Sequence, residues 1–201
     1  MIVGFSKSDE TQKRRLYSSG QEQIVDNISP YLIGAPTTFI ERRATPLTPG
    51  VPLMVRGNQP TDDGNFILTH EEYESFIKAE PQAEKFIRPF MMGKDFINRK
   101  PRYCLWLVGA NPTELKKCPH VLDRVQKVRD FRLVSKKKAT QQKADTPTLF
   151  DEIRQPETKY IGLPTVSSER RRYIPIDYLS DKVIAGNKIY MLAGLPNEYA
   201  M

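Results

Sequence analysis

At 201 residues, 39% hydrophobic and 27% charged, the chain can bury a real core, and no apolar run approaches the roughly 20 residues a membrane span needs. Its two cysteines, Cys104 and Cys118, have neither CxxC spacing nor neighbouring histidines, which excludes a disulfide scaffold and a zinc site and fits a reducing, cytoplasmic setting. The net charge of +7 is concentrated between Lys116 and Lys143, where ten basic residues face two acidic ones, Asp123 and Asp130. The rest of the chain is near neutral, so the block has the footprint of a polyanion partner, set against the plainer reading of a solvated helix face.

In chain order, Ile2-Val3-Gly4-Phe5 reads as a short buried strand, too soon followed by charge to be a signal peptide, and Ser6 to Gln23 as a polar loop or hairpin. Asn27-Ile28-Ser29-Pro30-Tyr31 reads as a structural turn. The Pro/Thr-rich run from Thr45 to Pro52 cannot continue a central strand. Leu53-Met54-Val55 and Phe66-Ile67-Leu68 read as two strands, with Asp62-Asp63-Gly64-Asn65 supplying turn chemistry between them.

Thr69 and Glu72 form a capping box for a helix carrying Tyr73, Phe76 and Ile77 and stopping near Glu80-Pro81. A second short helix holds Ala83, Phe86 and Ile87. Tyr103 to Val108, apolar on both faces, predicts a central strand, and Asn111-Pro112-Thr113-Glu114 another helix start. After Pro119 a longer helix from about His120 to Val134 puts Val121, Val125 and Val128 on its apolar side and Arg129, Arg132 and Lys136 on another. The Lys/Gln/Thr-rich stretch to Thr148 reads as mobile, and Tyr160–Val166, Tyr173–Leu179 and Lys188–Ala193 as strands. The expected fold is α+β: twisted, mostly antiparallel sheet with a central helical segment.

Catalytic constellations are sparse. His70 and His120 are the only histidines, each better placed for a surface or capping role than as a general base. No glycine-rich phosphate loop, GxSxG elbow or metal-spaced His/Asp set occurs, so no catalytic or metal residue is assigned. Glu157-Thr158-Lys159, with Asp145 or Asp151 upstream, has the order of a metal-dependent nuclease site, in which carboxylates hold magnesium and a lysine steadies the attacking water. An E-x-K triplet is common by chance in a lysine-rich chain. Asn27 to Tyr31 is no adenine clamp of the Asn-Pro-Pro-Tyr kind, because Ile28 and Ser29 intervene.

The strongest signal is Ser167-Ser168-Glu169-Arg170-Arg171-Arg172-Tyr173-Ile174-Pro175, preceded by Glu152-Ile153-Arg154-Gln155-Pro156. Three consecutive arginines cannot all be buried as paired charges, since each desolvation costs several kcal/mol. They form a cationic surface suited to phosphates and guanine edges. If the run were a strand, alternation would send Arg170 and Arg172 to one face and Arg171 to the other.

With Asn27–Leu32, Gly57-Asn58-Gln59-Pro60, Asp63-Gly64-Asn65, Ile87-Arg88-Pro89-Phe90, Phe96-Ile97-Asn98, Arg102–Leu107 and Phe131-Arg132, these motifs resemble, in order, the target-recognition region of MmeI-like type II restriction–modification adenine methyltransferases. The resemblance implies a longer protein joining a magnesium-dependent nuclease, a helical connector, an S-adenosylmethionine-dependent methyltransferase and a DNA-reading domain. On it, residues 1–23 are expected to be the end of the methyltransferase core and a linker, and 24–201 a recognition domain cut short at its C-terminus. No cofactor and no activity are then expected of this segment alone. The implied partners are double-stranded DNA and the chain's own methyltransferase domain, not a membrane.

Within that reading Arg129, Arg132, Lys136, Lys137 and Lys138 are expected on phosphates. Arg154, Gln155, Ser167, Glu169, Arg170, Arg171 and Arg172 are expected at or near a groove, where Arg can pair with guanine, Gln with adenine and Glu with cytosine. Two alternatives stay beside it, a stand-alone nucleic-acid-binding regulator and a small nuclease built on Glu157 and Lys159.

Overall fold

The computed structural model describes residues 13–195 apart from Ile40, Ala44, Leu47 and Glu169. The expected strand Ile2–Phe5 lies outside the described residues. The chain divides into two compact units, Met1–Thr45 and Pro46–Met201.

In the first unit, β1 (Arg14–Ser18) and β2 (Gln21–Val25) form an antiparallel hairpin, Arg14 opposite Val25 and Ser18 opposite Gln21. Ser19 and Gly20 both have positive φ, 51° and 79°, the two-residue turn whose twist matches paired strands. Asn27 ties down the following loop, its amide nitrogen donating to Ala35 O at 2.7 Å and Thr37 Oγ1 at 3.0 Å. Its oxygen accepts from Arg14, so the Asn27–Tyr31 motif is structural.

The second unit contains two four-stranded sheets with helices between their strands in sequence. One sheet runs β3 (Val55–Arg56), β10 (Ile189–Ala193), β7 (Tyr160–Pro164), β8 (Asp177–Leu179), all antiparallel. The other runs β4 (Ile67–Leu68), β6 (Arg102–Leu105), β5 (Ile87–Met91), β9 (Ile184–Ala185), antiparallel except for the β5–β9 pair. The fold is therefore α+β with mostly antiparallel sheets, and the strand predicted at Tyr103 is central.

The helices are α1 (His70–Ala79), α2 (Gly93–Asn98), α3 (Pro112–Leu115), α4 (Pro119–Leu133) and α5 (Lys138–Gln142), with 3-10 turns at Pro81–Phe86 and Lys143–Asp145. Apolar side chains of the second sheet, among them Phe66, Leu68, Phe90, Cys104 and Leu105, pack with Val121, Val125 and Val128 of α4 and with Phe150. A smaller core joins Phe96, Tyr160, Leu179, Ile189 and Met191. Burial drives the Cys104 thiol far above its ordinary pKa, so it packs as a small apolar group.

Several expectations are corrected. The two strands around Asp62–Asn65 do not form a hairpin, because β3 and β4 belong to different sheets. Between them the chain crosses to β9, with Asn58 N donating to Ala185 O at 2.7 Å. A Cβ on Gly57 would stand 2.4 Å from Gly186 O, so only glycine fits that crossing. The turn chemistry itself is present: Asp63 and Gly64 have φ of 52° and 78°, and Asp62 accepts from Phe66 N at 2.6 Å. Strand β5 was hidden by Pro89, which cannot donate to a ladder. The stretch read as mobile forms α5 and a 3-10 turn.

Candidate nucleic-acid interface

Arg132 does not face a ligand. Val121, Val125, Val128 and Arg132 fall on one stripe of α4, and Arg132 has 0% of its surface exposed. Its Nε donates to Thr61 O at 3.0 Å, Nη1 to Lys143 O at 3.0 Å and Thr146 O at 3.2 Å, and Nη2 to Pro60 O at 2.9 Å and Leu149 O at 2.8 Å. All the N–H donors of a guanidinium are then in use, so the expected phosphate contact is ruled out. Burial lowers its pKa, while Asp151 and Asp62 oppose the shift. Burial in turn raises the Asp62 carboxyl, and the backbone amides led by Phe66, with a smaller contribution from Arg132, only partly offset it.

Gln155 is likewise a scaffold residue rather than a base reader. Its Oε1 accepts from the buried Asn58 Nδ2 at 2.9 Å, and its Nε2 donates to Asp181 O at 3.0 Å and Val183 O at 2.9 Å. Asn58 Oδ1 takes Arg154 N at 2.7 Å, which fastens the Glu152–Gln155 segment to the Gly57–Pro60 crossing, while the Gln155 amide ties it to the β8–β9 connection. The Arg154 guanidinium pairs with Glu152 at 2.5 Å and reaches Gly57 O at 3.3 Å, so its charge is largely answered within the fold.

Of the basic block, four members are internally engaged. Arg132 is buried, Arg124 donates to Asn65 O and lies over the Phe76 ring, Lys127 pairs with Asp123 at 2.7 Å, and Lys143 stands 4.0 Å from Asp151. Arg129, Lys136, Lys137 and Lys138 are exposed. The lysine run occupies the joint between α4 and α5, held by Gln141 Nε2 donating to Ser135 O at 2.8 Å. Three ammonium groups are thereby presented from a short, tied turn.

The arginine run is not a strand. Residues 165–176 form the connection from β7 to the edge strand β8, so the alternation argument does not apply. Arg170 N donates to Ser168 Oγ at 3.2 Å and Arg171 N to Ser168 O at 3.0 Å, a turn that leaves Arg170, Arg171, Arg172 and Ser167 exposed. The Arg172 guanidinium stands 5.3 Å from the centre of the Tyr173 ring. Glu169 lies outside the described residues.

Beside this loop opens a groove of about 550 Å³ lined by Met92, Lys94, Ile97, Val166, Ser168 and Lys188, among others. Lys94 and Lys188 were missed, because isolated lysines carry no signal until the start of α2 and the β9–β10 turn come together. The structure thus brings Ser167 together with two unforeseen lysines, leaves Arg170, Arg171 and Arg172 exposed on the adjoining turn, sends Arg132 and Gln155 inward, and keeps Lys136–Lys138 on a separate element.

Among the described residues no three His, Cys, Asp or Glu side chains converge as a metal site. Asp151 of the nuclease-like set accepts from Thr61 Oγ1 at 3.0 Å, while Glu157 and Lys159 are exposed. No helix among the described residues is long and apolar enough to cross a membrane.

Comparison with known proteins adds three findings. The model of the family "MmeI, target recognition domain" matches residues 34–199. DNA methyltransferase A of Bacillus subtilis (strain 168) is 32% identical over 192 residues, covering 96% of this chain and 22% of that protein. A solved structure of the Type IIL restriction-modification enzyme MmeI in complex with DNA matches with a TM-score of 0.84 and 41% identity, over 95% of this chain and 26% of the other. The chain therefore spans about a quarter or less of the length of these relatives.

Proposed function

The chain belongs to the MmeI target recognition domain family, and on that premise we propose that it grips and reads duplex DNA for an adenine-N6 methyltransferase domain of a longer restriction–modification protein. The observation that carries the reading is the exposed Arg170–Arg172 turn on the β7–β8 loop, within a chain that matches a DNA-bound relative over 95% of its length. Forked guanidinium groups at a loop tip reach phosphates and guanine edges that a flat sheet cannot. Arg129 and Lys136–Lys138 add contacts of the phosphate-neutralising kind, which carry affinity but no sequence information.

Methylating a base inside a duplex requires turning it out of the stack, at a cost of a few kcal/mol. A recognition domain that holds the register and binds the distorted duplex offsets that cost. The partners in this reading are double-stranded DNA and a methyltransferase domain, and S-adenosylmethionine supplies the methyl group there. The groove beside the β7–β8 loop has lysines as its only charged lining, and these would repel a sulfonium cation. No step of the methyl transfer is assigned to this chain.

The test is duplex binding across a salt series. Each lost phosphate contact flattens the slope of log K against log salt by about 0.9, so replacing Lys136, Lys137 and Lys138 together by alanine should flatten it by up to about 2.7. An unchanged slope removes the lysine run from the interface. Absence of duplex binding by the unmodified chain at low salt overturns the reading.

A further inference from the structure

Building on the reading that this chain handles DNA, we propose that the groove beside the β7–β8 loop binds one unstacked nucleotide, its base on the apolar lining and its phosphate on the lysine rim. The volume of about 550 Å³ falls within the ~300–1,000 Å³ of pockets that take small ligands. Met92 and Ile97 of the α2 region form the half-buried floor, and Val166 one exposed wall. Lys94 and Lys188 stand at the rim, exposed and in no ion pair among the described residues. Gly93, Thr165, Ser167 and Ser168 complete the lining.

The combination selects its occupant. A paired duplex turns sugar and phosphate outward and keeps its bases stacked, so it calls for cations but has no use for an apolar recess. A base swung out of its stack bares a flat π face, which aliphatic side chains and the polarisable Met92 thioether suit. Ammonium groups on the rim favour an anion over an uncharged apolar segment or a cation. Ser168 joins this site to the arginine turn, since it lines the groove while its carbonyl and hydroxyl accept from the Arg171 and Arg170 amides at 3.0 and 3.2 Å. A nucleotide in the groove would therefore have its flanking phosphates beside Arg170–Arg172.

Methyl-detected NMR of the chain titrated with deoxyadenosine monophosphate tests the proposal. The Met92, Ile97 and Val166 methyl signals should shift saturably, and deoxyribose 5-phosphate, which has no base, should leave them in place. Val166→Asp puts a carboxylate on the wall at an exposed position outside both cores, and it should weaken nucleotide binding by about tenfold. A duplex with one unpaired nucleotide should bind about fivefold tighter than its fully paired counterpart, a preference that Val166→Asp abolishes.

Equal shifts with deoxyribose 5-phosphate would reduce the groove to a phosphate patch and overturn the proposal. So would nucleotide affinity that ignores Val166→Asp, or saturable shifts produced only by an apolar peptide. Paired-duplex binding without nucleotide binding overturns this site and leaves the wider DNA reading standing. Nucleotide binding without duplex binding keeps this site and removes that reading.

Discussion

Arg132 shows how one side chain can be misread when charge is weighed before position. It continues the Val121–Val125–Val128 stripe by another turn, and that spacing alone places it against the core. Its five carbonyl partners come from Pro60, Thr61, Lys143, Thr146 and Leu149, so one guanidinium closes two chain segments onto the end of α4. Arg132→Met should lower unfolding stability by roughly 3–5 kcal/mol in urea titrations, against about 0.5 kcal/mol or less for a surface arginine. Arg132→Lys should fail to rescue it, because three donors from a point charge cannot serve a planar set of five acceptors. The neighbouring Asp62 gives a pH signature. Its carboxyl is raised from 3.8 by burial, so between that value and its folded pKa the native state holds more protons than the unfolded one. Its contribution to stability is therefore greatest at acid pH and declines as pH rises through the folded pKa. Relative to the wild type, Asp62→Asn should become progressively more stable as pH rises above 3.8, measured as the difference in unfolding free energy at each pH. Gln155 had no comparable local signal, since its partner Asn58 lies 97 residues away in sequence.

Elements were legible where their determinants are local. Thr69 and Glu72 exchange the bonds their spacing predicts, Glu72 Oε2 accepting from Thr69 N at 2.7 Å and Thr69 Oγ1 from Glu72 N at 3.2 Å. Thr69→Ala should cost about 1 kcal/mol, seen as a lower thermal midpoint with no change in fold. The start of α4 follows a different logic. Cys118 makes no side-chain cap, and the amides of His120 and Val121 are met instead by the buried carboxylate of Glu80, each at 3.2 Å. That cap arrives from across the fold, and no window of sequence around Pro119 contains it. Strand pairing failed for the same reason. Hydrophobic runs located β6, β7 and β10, but the choice of partner for β3 and β4 depends on how the Gly57–Pro60 segment crosses β9, and the two-residue strands are too short to show a period.

At the scale of the whole molecule, the motif order identified the family, while the side chains of Arg132 and Gln155 turn inward instead of outward. The α+β class and the family followed from motifs spread over most of the chain. The basic block is less available than its composition states, because Arg124, Lys127, Arg132 and Lys143 are engaged within the protein. The groove lysines 94 and 188 offset part of that loss, and only the packing of α2 near the β9–β10 turn reveals them. The β7–β8 loop has one further property. Both its ends are secured by the ladder between the two strands and by Thr165 N donating to Lys188 O at 2.9 Å, whereas Arg170, Arg171, Arg172 and Tyr173 belong to neither core. Substitutions at such positions typically change stability by less than about 0.5 kcal/mol. Folding thus exerts little selection on the residues between the anchors, and what the loop touches, more than stability, decides which side chains it carries.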